Sequence, residues 1–228
     1  MDQISFQLPW NDLLAAFALF LRVAAFISVA PVIGADTVPA RIRAALGVLI
    51  AVVLMPLVPP ANPGVSLVSL ALSESLVGLL LGFSARVVVD AAFVAGTITG
   101  FPTGISMASM LDPVTQASSP VLAIFYRVLG GLVFCSIGGH HAMLDALARS
   151  YDLVPCGGAT LKGDWVVGAS EITGRVLILG LRIAAPVLVA GLLADIALML
   201  VARAVPQMNI LAVGAPVRLT VGLIAIAG

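Results

Sequence analysis

The chain is written as apolar stretches separated by proline and glycine: Leu13 to Val32, Ala44 to Val58, Val65 to about Ala85, Val121 to Gly138, Val176 to Ala202 and Ile210 to Ala227. A bilayer core of about 30 Å needs about 20 helical residues to cross it, and stretches of this kind are expected to be helices that do so. None alternates polar and apolar residues as the strands of a closed barrel would. The expectation is an all-α, multi-helix integral membrane protein with six candidate spans. Composition agrees, with 61% hydrophobic and 10% charged residues among 228, against roughly a quarter charged in an ordinary soluble domain. Nothing marks a second domain, so residues 1–228 are read as one. The breakers fall between stretches or at their ends, at Pro31, Gly34 and Pro39, at Pro56, Pro59, Pro60 and Pro63, at Gly100, Pro102 and Gly104, at Pro155, Gly157 and Gly158, and at Pro206.

Nearly every stretch contains a charge. Arg22 in mid-stretch costs about 2.5–3.5 kcal/mol on an insertion scale, and its Leu, Ile, Phe and Val neighbours return about 0.3–0.6 kcal/mol each, so the first helix still inserts. For Ile210 to Ala227 the sum is close to zero, with Arg218 and Pro216 at its centre, and that helix needs protein neighbours. The other charges expected at membrane depth are Glu74, Arg86, Asp90, Arg127, Arg182 and Asp195. Such groups face a bundle interior or a watery cavity. Arg86 and Asp90, four residues apart, can pair on one helix face. Two readings of the set stand: buried pairs that fix helix register, or the lining of a polar conduit. Small residues four apart, at Gly78 and Gly82, at Gly96, Gly100 and Gly104, and at Ala190 and Ala194, let helix backbones approach closely.

Catalytic chemistry finds no foothold. There is no H-E-x-x-H, no G-x-S-x-G and no phosphate-binding glycine loop. His140 and His141 are adjacent, so on a helix they point about 100° apart and cannot both ligate one metal. Cys135 and Cys156 are too few for a metal cluster. No catalytic residue, metal site or cofactor is assigned. An intramembrane aspartyl protease could nominate Asp90 and Asp195, but neither has that class's glycine-aspartate context. A small-solute transporter should show repeated halves with matching interruptions, and none is visible. With zero formal net charge, no nucleic-acid partner is expected. Met1 to Asn11 has no Lys or Arg, so a signal peptide's basic region is missing and the first helix is expected to be retained. Gly228 follows an apolar stretch with no polar flank, and continuation beyond it is expected. Arg41 and Arg43 point to one cytoplasmic loop.

The segment Gly96 to Pro120 is too rich in Gly, Ser, Thr and Pro to continue a helix through lipid, and irregular backbone at that depth belongs inside protein or beside a water-filled cavity. Here Gly100-x-x-x-Gly104-Ile105-Ser106 followed by Asp112-Pro113 resembles the central loop of the FliR family, flagellar export-gate subunits whose injectisome counterparts are called SctT. Arg22, then Ala30-Pro31, Gly34, Val38-Pro39 and Arg41 or Arg43, resembles the family's opening. Glu74-x-x-x-Gly78-x-x-x-Gly82 is similar to its third helix, Gly139-His140 to its mid-chain pair and Val154-Pro155-x-Gly157 to its L-P-x-G turn. Pro206-Gln207-Met208-Asn209-Ile210 with Gly214-x-Pro216 is similar to its P-Q-x-N-I/V segment. Pro102 and Thr103 depart from it, standing where the family's loop has a Gln and an apolar residue.

The resemblance implies helical hairpins packed into an export gate in the bacterial inner membrane, at the flagellar basal body. FliP-like and FliQ-like subunits would share that gate, with FlhB-like and FlhA-like export proteins as further partners and unfolded proteins as substrates. It also implies a loop, Gly104 to about Ser118, that plugs the channel at rest. Met107, Met110 and Leu111 are then candidates for the seal, with Ser106 in the matching motif and Asp112 and Pro113 fixing the turn; flexible thioethers fill irregular gaps and repack. The alternative for the methionines is plain packing against neighbouring helices. An SctT-like subunit of an injectisome is the nearest alternative for the whole chain.

Overall fold

The computed structural model describes residues 10–34, 38–58, 66–104, 121–159, 164–205, 207 and 210–227. They form seven α-helices and no strand. These are α1 (Trp10–Val29), α2 (Ala40–Leu54), α3 (Leu67–Gly100), α4 (Val121–Ser136), α5 (Gly139–Leu153), α6 (Asp164–Ala204) and α7 (Ile210–Ala227), with a short 3-10 turn, Met55–Leu57, after α2. The all-α fold expected from the sequence is the fold observed.

Proline and glycine set most of the boundaries. After α1 the chain turns through Ala30–Gly34, where the Gly34 N–H donates to the Ala30 carbonyl at 2.8 Å. A Cβ on Gly34 would stand 2.6 Å from that same oxygen, so the turn closes only with glycine. Pro39 caps α2 in extended conformation and Pro56 starts the 3-10 turn that ends it. Between α4 and α5 the chain bends by 68° at Gly138, whose φ of +76° is a conformation glycine adopts freely.

Four details differ from the sequence-based expectation. First, α3 does not stop near Ala85 or break at Gly96, but runs on to Gly100. Gly96 faces the α4 backbone, where a Cβ would lie 2.7 Å from Ala123 Cα, so this glycine serves close packing inside a helix. The Thr97 and Thr99 hydroxyls donate to the Phe93 and Gly96 carbonyls at 3.0 and 3.3 Å, which removes the polarity that argued against a helix. Second, α5 occupies a stretch that hydropathy passed over, because its outer face carries His141, Asp145, Arg149 and Asp152. Third, α6 begins at Asp164, twelve residues before the apolar stretch. Fourth, the six candidate spans reduce to two among the described residues, α3 and Val167–Ala204 of α6, or three if the bent α4–α5 pair counts as one. Helix α2, with 15 residues, is too short to cross as a single span.

The helices sort into two compact units, with α3 and α6 each contributing to both. One unit holds α1, α2, α3 as far as Arg86, and α5. Its core is Leu19, Val23, Phe26 and Ile27 of α1, Leu70 and Val77 of α3, and Met143, Leu147 and Tyr151 of α5. Its α1 and α3 meet backbone to backbone: Gly78 faces the Arg22 carbonyl and Gly82 the Phe26 carbonyl, four residues apart on both helices. The other unit holds α3 from Val87, α4, α6 from Ile172, and α7. There Gly180 of α6 packs on Val94, and Gly130 of α4 on Ala92, in each case with 2.8 Å to a would-be Cβ.

The outer surfaces are apolar. Val121, Ile124, Phe125, Val128 and Leu132 of α4 and Leu177, Leu181, Leu192, Leu193 and Met199 of α6 are all exposed. Continuous apolar faces on this scale are not surfaces for water; they belong against lipid or another protein. At 41 residues α6 is about 60 Å long, twice a bilayer core, so lipid alone does not cover it.

Candidate functional site

The most polar point of the first unit lies at its centre. Arg22, midway along α1, and Glu74, on α3, both have no solvent exposure. They form a forked pair, Arg22 Nε to Glu74 Oε2 at 2.7 Å and Nη2 to Oε1 at 3.1 Å. Arg22 Nη1 donates to Ser150 Oγ at 3.0 Å and Nη2 to the Val154 carbonyl at 2.9 Å, so four of the five guanidinium N–H groups have acceptors. The guanidinium carbon also lies 4.0 Å from the Tyr151 ring centroid, within cation–π range. Ser150 Oγ in turn donates to the Leu147 carbonyl at 2.7 Å, and Glu74 Oε1 accepts the Gly157 N–H at 2.9 Å.

Each partner is delivered by local structure. Val154 is the C-cap of α5, and its carbonyl is one of those a helix end leaves without an intrahelical donor. Gly157 has φ +73°, the left-handed conformation that turns its N–H toward Glu74. Arg22 and Glu74 therefore lash the end of α5 and the turn after it to the α1–α3 pair. Three sequence blocks separated by 52 and 83 positions meet at one carboxylate. A forked arginine–carboxylate pair with satisfied lone pairs is the geometry in which a buried ion pair recovers its desolvation cost.

Cys156 is completely buried beside this cluster, while Cys135 on α4 is exposed and both are free. Burial first, and then the Glu74 carboxylate, push the Cys156 thiol up to about 11, with Arg22 acting in the opposite sense. The thiolate is the nucleophile, so a maleimide at pH 8 is expected to label Cys135 and to leave Cys156 unmodified until the chain unfolds. Peptide mapping by mass spectrometry reads this directly, and equal labelling of both cysteines in the folded protein would contradict it. Because the folded state holds the Cys156 proton more tightly, its contribution to stability is complete below about pH 9 and is lost as pH rises toward 11.

The second unit carries the stem of the expected loop. Helix α3 ends at Gly100, Pro102 cannot continue it, and Gly104 takes a φ of +75°. Thr103, 1% exposed, donates its hydroxyl to the Thr99 and Gly100 carbonyls at 3.0 and 3.1 Å, supplying the last turn with a donor. Farther along, Arg218 of α7 and Asp195 of α6 form an ion pair at 2.6 Å, both about a third exposed and without the alignment of a hydrogen bond.

These features coincide with a known protein family. A family model described as bacterial export proteins, family 1, matches residues 13–228. The flagellar biosynthetic protein FliR of Escherichia coli K12 is 32% identical over 219 residues, covering 95% of this chain and 83% of that protein. The FliR of Bacillus subtilis 168 is 33% identical, with 93% and 85% covered, and that of Caulobacter vibrioides 32%, with 91% and 85% covered. The chain belongs to the FliR family of bacterial export proteins.

In this FliR-family chain the polar residues singled out from sequence separate into distinct settings. Arg22 with Glu74, and Asp195 with Arg218, are brought together. Asp195 thus faces a cation rather than a second carboxylate. Arg86 and Asp90 sit one turn apart on α3, both half-buried and neither without a partner. Arg127 is exposed, its guanidinium 5.7 Å from the Phe93 ring, and Arg182 is exposed on α6. Of the P-Q-x-N segment, Gln207 is exposed, while Pro206 and Asn209 lie outside the described residues. Gly214 is buried on α7 against Leu198, and Pro216 is exposed within that helix. Of the loop positions, Gly104 is described; Ser106, Met107, Met110, Leu111, Asp112 and Pro113 lie outside the described residues. The ring centroids of His140 and His141 lie 4.0 Å apart with their planes tilted by 42°. Sequence reading missed Ser150, Tyr151 and the Val154 carbonyl. A buried serine in a polar helix gives no periodic signal, and a carbonyl gives none at all.

Proposed function

We propose that this chain is a structural, non-catalytic subunit of the flagellar type III export gate. With FliP-like and FliQ-like subunits it forms the channel that passes unfolded substrates across the bacterial inner membrane at the flagellar basal body. The observation that carries this reading is the family match over residues 13–228, together with flagellar relatives at about a third identity across more than nine-tenths of the chain. The exposed apolar faces of α4 and α6 support it, because a 41-residue apolar helix calls for protein neighbours beyond the bilayer. FlhB-like and FlhA-like proteins are the further partners, and energy comes from other subunits or the proton gradient. The segment from Gly104 to about Ser118 plugs the channel when no substrate is passing, with Met107, Met110 and Leu111 as its seal and Asp112 and Pro113 shaping its turn.

Two experiments test this. The chain is tagged, extracted gently from native membranes and its companions identified by mass spectrometry; FliP-like and FliQ-like proteins in one stable complex are expected, and recovery of the chain alone would remove the assembly. Shortening Gly104 to Ser118 is expected to make the complex leak ions, and unchanged conductance would sink the plug.

A further inference from the structure

Helices α1 and α2 touch at one level and stand apart at another. Gly47 of α2 marks the contact, with a would-be Cβ 3.8 Å from Ile27 Cδ1 and 3.9 Å from Ala24 Cα. Toward the end of α2 the pair opens into a groove of about 180 Å³, lined by Leu19 and Phe20 of α1 and by Val48, Ala51, Val52 and Met55 of α2. Every side chain lining it is apolar, and Val48, Val52 and Met55 are exposed along its rim. The same face of α2 begins with a cation. Arg41, Ala44, Ala45, Val48, Val52 and Met55 follow one another at the spacings of a single helical stripe, and Arg41, Ala44 and Ala45 are exposed. Arg43, half-buried, adds a second positive charge in that turn, and α2 contains no acidic residue. The two alanines keep the path from Arg41 to the groove clear of large side chains. At 1.5 Å per residue Val48 lies about 10 Å and Val52 about 17 Å along the axis from Arg41. The hydrocarbon of one leaflet, half of a 30 Å core, is about 15 Å deep.

We propose that this face binds one phospholipid of negative headgroup charge, with its phosphate at Arg41 and one acyl chain laid along Ala44 and Ala45 into the groove. A phosphate held at Arg41 brings the far half of that chain level with Val48 and Val52. The guanidinium fork suits a phosphate, and arginines flanking an apolar helix belong to the cytoplasmic face, where anionic lipids are concentrated. Inside a bilayer the chain gains no hydrophobic burial, since the tails around it are as apolar as the groove. The groove contributes packing contacts instead, and Arg41 contributes the selection by charge. A partner helix, about 10 Å across, would insert only single side chains into a groove of this volume. The inference goes beyond the export-gate reading and rests only on the chain's place in a membrane.

The full chain, purified in mild detergent, is given equal amounts of dioleoyl phosphatidylglycerol and dioleoyl phosphatidylcholine, which share their chains and differ in headgroup charge. Native mass spectrometry counts the lipid retained. The parent is expected to keep phosphatidylglycerol about fivefold over phosphatidylcholine, the preference one arginine confers beside anionic lipid. Arg41→Gln is expected to bring the two lipids level. Val52→Trp, which fills the groove from its exposed rim, is expected to lower retention of both several-fold; Met55→Trp should do the same and takes its place if Val52→Trp does not fold. Val128→Trp, on the exposed face of α4, is the control and is expected to change neither. No preference in the parent, or a preference that survives Arg41→Gln, overturns the headgroup site. Retention that survives groove filling, or that falls equally in Val128→Trp, overturns the groove, because lipid would then be held by the apolar surface at large. In the gently extracted export complex, a photocrosslinker at Val52 is expected to capture lipid. Capture of another subunit there assigns the groove to a partner helix and overturns the proposal.

Discussion

Replacing Glu74 with alanine is expected to destabilise the first helical unit by about 3–5 kcal/mol, the usual cost of stripping one partner from a buried ion pair. Arg22 would be left charged and without solvent, holding Ser150 and the Val154 carbonyl but no anion, and the Gly157 N–H would lose its acceptor. Arg22→Ala should cost a similar amount, for it strands the carboxylate instead. The two losses should not add, because the second substitution removes the charge stranded by the first. An Arg22→Met, Glu74→Leu double variant is expected to regain part of the loss. It should not regain all of it, since the half-buried Val154 carbonyl and Gly157 N–H still lack the partners they had. Thermal unfolding of the purified chain in detergent, compared across the parent, the two alanine variants and the Arg22→Ala, Glu74→Ala combination, measures this coupling. Strict additivity would show that the pair contributes no interaction of its own. Asp195→Asn serves as the contrast: that pair is about a third exposed, and its loss is expected to cost less than about 1 kcal/mol.

The same residues show where sequence reading reaches and where it stops. An arginine inside an apolar stretch, and a glutamate one helical turn before Gly78, are visible as costs that something must repay. Their identity as each other's partner is not, since pairing across 52 positions depends on how helices cross. Apolar stretches locate helices because burial requires them, yet they overstate spans: hydropathy cannot distinguish a helix covered by lipid from one covered by protein. Among the described residues two helices, or three if the bent α4–α5 pair counts as one, are long and apolar enough to cross. In the opposite direction, α5 was invisible because half its surface is polar, although its C-terminal end supplies three of the groups around Arg22. Gly96 misled for a related reason. In a soluble strand or loop a glycine-threonine run signals irregular backbone, but against a neighbouring helix the absence of a side chain is what permits the continuous helix. The motifs identified the family, which composition alone could not do.

Gly78→Ala is expected to be the most damaging glycine-to-alanine change among the described residues. Its Cβ would overlap the Arg22 carbonyl oxygen and lie 3.0 Å from Ala25 Cβ. Backbone oxygen cannot rotate away as a side chain would, so α1 must move from α3. Overpacking of this kind costs about 1–3 kcal/mol and occasionally more. Here the upper end is expected, because the backbone that must shift carries Arg22, and a change in the α1–α3 spacing stretches both arms of its fork to Glu74 at once. Gly82→Ala, with 2.6 Å to the Phe26 carbonyl, should be damaging through the same spacing but without direct displacement of Arg22. Gly174→Ala is the matched control: it lies on α6 with nothing within 4 Å of its Cβ, and the gain in helix propensity, about 1 kcal/mol for glycine to alanine, should leave it neutral or slightly stabilised. Membrane accumulation and unfolding temperature of the three variants are expected to fall in the order Gly174→Ala, Gly82→Ala, Gly78→Ala. The Cys156 thiol reports the cause: maleimide should reach it in Gly78→Ala at a pH where the parent is protected, because a loosened fork lets water to the turn at Gly157. Loss of stability in Gly78→Ala with Cys156 still shielded would mean that α1 and α3 part elsewhere and that the ionic cluster does not depend on their close approach.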